Sequence, residues 1–137
     1  MPLILDSSVI IPEERKGKNA HRAISEIAEA SGNQDLAISV ITVVELAHGI
    51  ARSNSLQREQ VRRQFLDELV AAIPVLPITI PIALRAGRMD GENTARGVRI
   101  ALADLLIGAN ALEVGYSVAT VNVRHFQLIP GLSIVRF

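Results

Sequence analysis

Three acidic residues lie inside apolar stretches, where an unpaired carboxylate is unfavourable. Asp6 ends an apolar run near the start of the chain, Glu45 lies within residues 41–47, and Asp104 interrupts residues 100–107. None of these runs contains a Lys or Arg that could pair with the acid. Because a buried lone carboxylate costs several kcal/mol unless it is paired, hydrogen-bonded or bound to a metal, a cation site shared by all three is the simplest common explanation.

A shared site of this kind predicts a particular chemistry. Two carboxylates about 4 Å apart repel each other by roughly 4 kcal/mol at an effective dielectric constant of about 20. Hard divalent cations such as Mg²⁺ relieve this repulsion and bind carboxylates and water. A carboxylate-bound Mg²⁺ commonly polarises a phosphoryl oxygen and activates water. The three acids therefore favour phosphodiester hydrolysis.

Each acid also has a purely structural explanation. The spacing from Thr42 to Glu45 matches a capping box, in which Glu45 would only hydrogen-bond the start of a helix. Asp104 can be an acid stabilised by the positive end of a helix dipole, and Asp6 can form an Asx turn. These explanations require three independent coincidences, whereas a cation site requires one.

The composition narrows the classes of function. The 137 residues include 14 Lys and Arg and 14 Asp and Glu, so the formal net charge is zero, and only 3% are aromatic. Proteins that bind nucleic acid by bulk charge are usually more basic, and an aromatic platform for stacking bases is not expected. The chain has no cysteine, which excludes disulfides and thiolate metal sites. The three histidines, His21, His48 and His125, lack metal-ligand spacing and are expected in surface or packing roles.

The apolar fraction is high, at 49%, but is not that of a membrane protein. No apolar stretch reaches the roughly 18 residues of a membrane span. The first residues carry no basic region typical of a signal peptide, so a cytoplasmic location is expected. The surplus of apolar residues indicates a buried sheet together with a surface that binds a partner.

Apolar runs and helical periodicity alternate along the chain. The predicted strands are residues 3–5, 36–39, 75–77, 117–120 and 132–135. The predicted helices are a turn after residue 7, with Pro12 near its start, and residues 20–30, 42–52, 55–72, 80–89 and 103–114, with a loop at 90–93. This alternation predicts one α/β domain over residues 1–137, with a parallel sheet covered on both faces.

The predicted elements bring the three acids to one edge. In an open parallel sheet, ligands bind beyond the carboxyl ends of the strands. Asp6 directly follows the first strand, and Glu45 and Asp104 are both expected in the first turn of a helix. We therefore expect the three carboxylates to converge, with the Ser8 hydroxyl orienting Asp6.

The acids and their neighbours resemble the motifs of a known family. The segments Leu5-Asp6-Ser7-Ser8-Val9-Ile10, Val43-Val44-Glu45-Leu46 and Ala103-Asp104-Leu105-Leu106-Ile107-Gly108-Ala109 resemble the three acidic motifs of PIN-domain ribonucleases. Residues 119–126, followed by residues 130–132, are similar to the tail of bacterial VapC-type toxins. The resemblance covers essentially the whole chain.

The resemblance implies a three-layer α/β/α PIN-like fold and a specific set of site residues. Asp6, Glu45 and Asp104 would be catalytic residues that bind Mg²⁺ or Mn²⁺, as one ion or two, with Ser8 in support. The family often has a fourth acid where this chain has Asn122, whose neutral amide can still contact the metal or a bound water. Asp90 is an alternative fourth acid, although a solvated loop position explains it better.

The resemblance also implies a function and partners. It implies a metal-dependent endoribonuclease that acts as the toxin of a toxin–antitoxin pair, forms a homodimer and is neutralised by an antitoxin protein. Arg15, Lys16 and Lys18 are either contacts for RNA phosphates or an ordinary solvated face. The alternative function is a non-catalytic PIN-like module that binds RNA or protein, and the neutral Asn122 favours it.

Overall fold

The computed structural model describes residues 2–137, which form five strands and seven helices. In chain order the elements are β1 (Leu3–Leu5), α1 (Ser7–Arg15), α2 (Ala20–Ala30), β2 (Leu36–Ser39), α3 (Val40–Ala51), α4 (Leu56–Ala72), β3 (Val75–Leu76), α5 (Ile80–Ala95), α6 (Leu102–Val114), β4 (Ser117–Thr120), α7 (Val123–Phe126) and β5 (Ile134–Arg136). The boundaries of β1, α2, β2 and β4 are those expected from the sequence. Short apolar runs between turn residues are thus sufficient to locate the buried strands.

The five strands form one parallel sheet in the order β3-β2-β1-β4-β5. Side chains of β1 alternate between its faces, because successive residues of a strand point to opposite sides. Leu3 and Leu5 belong to a core shared with α1, α2 and α4, whereas Ile4 packs with residues of α6 and α7. Helix α5 packs on α6 through Ile82 and Ala86. The predicted α/β/α layering around a parallel sheet is therefore confirmed.

Helix α6 is apolar on nearly all sides because it is buried between the sheet and α5. Its residues Leu105, Ile107 and Ala109 are fully buried. At Gly108 an added Cβ would collide with Cδ1 of Ile129, so the chain packs closely against the helix there. At 13 residues, α6 is about 20 Å long. In residues 2–137, no helix combines the length and apolar character that crossing a bilayer requires.

Helix α3 begins two residues earlier than the sequence indicated. Ser39 is the N-cap residue and its Oγ accepts a hydrogen bond from the backbone N–H of Ile41 at 3.2 Å. Thr42, the expected first residue, is buried within the helix, and its Oγ1 donates to the Leu5 carbonyl at 3.5 Å. The helix start is therefore set by the end of β2, and Glu45 lies in the second turn of α3, not in the first.

Helix α5 continues past Met89 to Ala95, so the loop predicted at residues 90–93 is wrong. Asn93 is buried, and its Oδ1 accepts a hydrogen bond from Arg96 Nη2 at 2.8 Å. Packing and this bond outweigh the low helix propensity of Gly91. Asp90, expected in a loop, is an exposed residue of the helix.

Two further expectations near the chain ends are corrected. Helix α1 starts at Ser7, which places Pro12 in the second turn and not near the start. The last strand begins at Ile134, two residues later than predicted, because Gly131 adopts a left-handed turn with φ of 78°. Helix α7 was not predicted, since four residues are too few to show helical periodicity.

Candidate functional site

The three acids meet at the carboxyl edge of the sheet. Asp6 is the N-cap residue of α1 directly after β1, Glu45 lies in α3, and Asp104 is in the first turn of α6. The charge of Asp6 raises the pKa of both Glu45 and Asp104, and the charge of Asp104 also raises the pKa of Glu45. The three carboxylates thus lie near enough to one another for their charges to interact, since charges influence one another in this way only at short range.

Asp6 is 2% exposed, and two hydroxyl groups hold its side chain in place. Ser8 Oγ donates a hydrogen bond to Asp6 Oδ2 at 2.6 Å, and Thr120 Oγ1 donates to the same oxygen at 2.9 Å. Backbone N–H groups orient both hydroxyls, because Val121 N donates to Ser8 Oγ at 3.1 Å and Asn122 N donates to Thr120 Oγ1 at 2.9 Å. Both hydroxyl bonds end on Oδ2, so neither hydroxyl occupies Oδ1.

The Asx-turn explanation for Asp6 is wrong. Although Asp6 occupies the N-cap position of α1, its side chain forms no capping hydrogen bond. Its carboxylate is directed instead toward hydroxyl groups of α1 and β4. The residue therefore has no role in starting the helix through its side chain.

Glu45 has a buried carboxylate oxygen without a partner. Within the described residues, Oε1 of Glu45 is buried and receives no hydrogen bond. Burial is the largest cause of its raised pKa, followed by the charge of Asp6, while a hydrogen bond from the Ser7 side chain opposes the shift. Since Ser39 caps α3, the capping-box explanation for Glu45 is wrong. A buried carboxylate oxygen without a hydrogen bond is stabilised by binding a proton or a cation.

Asp104 lies in the first turn of α6, where the helix dipole alone would lower its pKa. Its pKa is raised instead, first by burial and then by the charge of Asp6. His125 acts in the opposite direction through its charge and a hydrogen bond, with Nδ1 at 3.0 Å from Asp104 Oδ2. Burial and the charge of Asp6 thus change the pKa of Asp104 more than the helix dipole does. An interaction with the helix dipole alone therefore does not explain why an acid lies at this position.

The donor set suits a hard divalent cation. Asp6 and Glu45 form no ion pair with Lys or Arg in the part of the chain that the structure describes. Carboxylate oxygens are the ligands that Mg²⁺ and Mn²⁺ prefer, and the unpartnered Oε1 of Glu45 is one such ligand. Among residues 2–137, however, no three His, Asp or Glu side chains are already closed around a single point. The residues fit such an ion by chemistry and mutual electrostatics.

Of the two supporting residues expected from the sequence, the structure places one against the acids. Ser8 bonds Asp6, whereas Asn122 is exposed and contributes its backbone N–H to Thr120. Asp90 is exposed on α5 and is not among the causes of either raised pKa. In the part of the chain that the structure describes, no hydrogen bond joins the side chain of Asn122 or Asp90 to one of the three acids.

The basic residues after the first acidic motif differ in their surroundings. Lys16 pairs with Glu13, and Lys18 pairs with both Glu13 and Glu26. These two lysines are therefore held in ion pairs on the outer side of α1 and α2. Arg15 instead lines a groove that also contains Glu45.

Sequence reasoning missed Thr120 and His125 as neighbours of the acids. Thr120 ends β4, which pairs with β1 in the register that sets Ala119 beside Leu5. The sequence did contain a signal for Thr120. This hydroxyl residue ends β4, and β4 lies beside β1, the strand that Asp6 follows. His125 had no comparable signal, because its contact with Asp104 depends on the unpredicted helix α7.

A model of the PIN domain family matches residues 3–131. The chain belongs to the PIN domain family. Ribonuclease VapC1 of Rickettsia felis is 31% identical over 135 residues, which cover 98% of this chain and 96% of the relative. The α/β/α fold with a parallel sheet is thus the one that the resemblance implied.

Solved structures similar to this PIN domain include a toxin-antitoxin complex. VapBC-1 of nontypeable Haemophilus influenzae aligns with a TM-score of 0.80 and 28% identity, covering 99% of this chain and 98% of that one. A toxin-antitoxin complex of Klebsiella pneumoniae aligns with a TM-score of 0.66 and 25% identity, covering 98% and 96%. The likeness extends over nearly the full length of each chain.

Proposed function

We propose that this PIN domain is a metal-dependent endoribonuclease that acts as the toxin of a toxin–antitoxin pair and hydrolyses RNA phosphodiester bonds. The observation that carries the proposal is the convergence of Asp6, Glu45 and Asp104 without a basic residue paired to Asp6 or Glu45 in the described chain. The name of the relative from Rickettsia felis, a ribonuclease, supports the reaction. A non-catalytic binding module is not favoured, because it leaves this grouping of charge unexplained.

Asp6, Glu45 and Asp104 would hold Mg²⁺ or Mn²⁺. A bound ion of this kind activates water and stabilises the charge that develops on the phosphoryl oxygens. Ser8 and Thr120 fix the orientation of Asp6, since both donate to its Oδ2. His125 contacts Asp104 Oδ2 and restricts the rotation of that carboxylate. The chain thereby presents the acids in a fixed arrangement before substrate arrives.

The decisive test combines metal binding with cleavage. We expect the wild-type protein to bind Mn²⁺ in a calorimetric titration and to cleave RNA only when the ion is present. Induced expression in a bacterium should arrest growth, while expression of Asp6→Ala should not. Absence of Mn²⁺ binding together with absence of RNA cleavage would refute the proposed enzymatic function.

We propose that RNA reaches the acids along the groove between α1, α3 and α4. Arg15 lines this groove together with Glu45 and is exposed. Its guanidinium can contact RNA phosphates close to the acids, whereas Lys16 is paired with Glu13, and Lys18 with Glu13 and Glu26. Affinity for RNA then depends on few local cations, namely Arg15 and Arg62, of which Arg62 is paired with Glu14. This agrees with the net charge of zero.

We propose that the antitoxin covers the same groove. Its walls are apolar, formed by Ile11, Leu46, Phe65 and Leu66. A peptide that packs against these side chains can place an Arg or Lys beside Glu45. Its positive charge would replace that of the metal and inhibit by competition.

We propose that the homodimer forms through α5. Ile80 and Leu84 lie four residues apart and share one face of the helix, and they are 77% and 68% exposed. Leu84→Glu is expected to weaken the dimer at least about tenfold, because a charge would be buried in an apolar contact. Light scattering across micromolar concentrations measures the change.

Leu56→Glu is the matched control for the dimer. Leu56 is 71% exposed on α4, so the substitution is chemically identical but lies on another helix. It should leave the dimer intact. A monomeric wild-type protein, or equal weakening by both substitutions, would contradict an interface on α5.

Asn122→Asp tests whether residue 122 belongs to the metal site. A fourth carboxylate that reaches the ion should tighten Mn²⁺ binding, because carboxylates are stronger ligands for hard cations than amides. Calorimetric Mn²⁺ affinities of the two proteins decide the matter. Since Asn122 is exposed and its backbone already bonds Thr120, folding should not change. Equal or weaker Mn²⁺ affinity would place residue 122 outside the site.

A further inference from the structure

A polar side chain lies at a fully buried position of α6. Asn110 of α6 is 0% exposed, and its helix neighbours Ala109 and Ala111 are equally buried. Its Nδ2 donates to Ser39 Oγ at 3.2 Å and to the Pro77 carbonyl at 3.4 Å. Its Oδ1 is buried and has no hydrogen-bond partner in residues 2–137.

This arrangement does not favour stability. A buried carbonyl oxygen without a hydrogen bond is unfavourable, and this penalty offsets the gain from the two hydrogen bonds that Nδ2 donates. Replacing both partners of a buried hydrogen bond by apolar groups of the same shape can be nearly neutral or stabilising. The amide of Asn110 therefore has an explanation other than the stability of the core.

The partners of Asn110 show what the amide connects. Ser39 ends β2 and is the N-cap residue of α3, so its position sets where α3 begins. Glu45 follows Ser39 by six residues on α3, and Asp104 precedes Asn110 by six residues on α6. At 1.5 Å per residue, each acid lies about 9 Å along its helix from this hydrogen bond. The amide thus joins the two helices that contain Glu45 and Asp104.

We propose that Asn110 is a positioning residue that fixes the separation of Glu45 and Asp104. The inference rests on the proposed function, because the separation matters only if the two acids share a cation. Hydrogen bonds fix direction and distance, whereas apolar packing lets helices slide past each other by small amounts. Loss of the amide then widens the spread of distances between the acids while the core remains folded.

Asn110→Leu is the principal test, because leucine has the same branched arrangement of heavy atoms as asparagine and removes both donated hydrogen bonds. We expect a melting temperature within about 4 °C of wild type. We expect Mn²⁺ affinity to fall roughly 3- to 10-fold, since residues that orient metal ligands typically matter on this scale or more. In RNA cleavage kcat should fall while KM changes little, because Arg15 and the groove walls are untouched.

Two further variants keep the proposal testable if leucine is not tolerated. Asn110→Ala also removes the amide and adds no branched side chain, so it should lose Mn²⁺ affinity in the same way. Ser39→Ala removes the acceptor on α3. The losses of Mn²⁺ affinity in Asn110→Ala and Ser39→Ala should not add in the double variant, because each breaks the same hydrogen bond.

Val118→Ala is the control for a general loss of stability. Val118 is fully buried in β4 and contacts none of the three acids through a hydrogen bond. It should lower the melting temperature and leave Mn²⁺ affinity unchanged. Folded Asn110 variants with wild-type Mn²⁺ affinity and wild-type kcat would overturn the positioning role alone. A wild-type protein that binds no Mn²⁺ would overturn the proposed function as well.

Discussion

Asp104→Asn is expected to retain the fold and to lower RNA cleavage at least about 100-fold. Asparagine is nearly isosteric with aspartate, and its Oδ1 can still face His125, which lies 3.0 Å from the carboxylate in the wild type. The substitution removes one negative charge from a group in which the carboxylates repel each other. Folding should therefore be unaffected or improved, while one anionic ligand is lost. Circular dichroism and cleavage of a fluorescent RNA measure the two effects.

Asp90→Asn provides the matched control for this experiment. The chemical change is identical, but Asp90 is exposed on α5 and does not contribute to the raised pKa values of the cluster. Cleavage by Asp90→Asn should equal that of the wild type. A folded Asp104→Asn protein with full activity would show that Asp104 is not a metal ligand, and reduced activity of the control would point to Asp90.

Glu45→Gln is expected to stabilise the metal-free protein near neutral pH. The folded-state pKa values of Glu45 and Asp104 lie above their ordinary values, because of burial and mutual repulsion. The folded state therefore binds these protons more tightly than the unfolded state. Stability falls as pH rises from the ordinary pKa through the raised one. Glutamine at position 45 removes this loss for one group and relieves Asp104 as well.

Thermal unfolding between about pH 4 and pH 8 measures the effect. In EDTA the melting temperature of Glu45→Gln should exceed that of wild type at the upper end of this range, by about 3 °C or more for each 1 kcal/mol. The difference should shrink toward pH 4. Excess Mn²⁺ should raise the melting temperature of the wild type and have little effect on the variant, because a ligand that binds only the folded state stabilises it.

A comparison between two proteins is needed because other carboxylates act in the opposite direction. Hydrogen bonds from Lys18 lower the pKa values of Glu13 and Glu26, so these groups lose stabilising interactions as pH falls. Glu13 and Glu26 are unchanged in Glu45→Gln, so their contributions cancel when the melting temperatures of wild type and variant are subtracted. Glu29→Gln, at an exposed position of α2, should show no difference from wild type at any pH. A less stable Glu45→Gln protein at neutral pH in EDTA would disprove the predicted repulsion.

The sequence was sufficient to predict the parallel sheet and the convergence of the acids. Buried strands such as β1 and β4 are short apolar runs, and the carboxyl ends of parallel strands meet at one edge. Asp6 directly follows β1, so its place at this edge needed little more than the position of that strand. The acid on α6 could be placed for a similar reason, because it interrupts an apolar helix near its start.

Features that depend on tertiary contacts could not be predicted in this way. The start of α3 is set by Ser39 at the end of β2, and the length of α5 by the burial of Asn93. The contact between His125 and Asp104 requires a helix of four residues. In each case local propensity is weaker than packing between segments that are distant in the chain.

The pairing of β1 with β4 also has a consequence for biosynthesis. Asp6 forms its hydrogen bond with Thr120, a residue 114 positions later, so no early folding unit contains the complete site. A nascent chain that has passed Glu45 still lacks Asp104, Thr120 and the strand next to β1. At roughly 5–20 residues per second, about 4–15 s separate the synthesis of Glu45 from that of Thr120. The hydrogen bond between Thr120 and Asp6 can therefore form only late in translation, after β4 has been made.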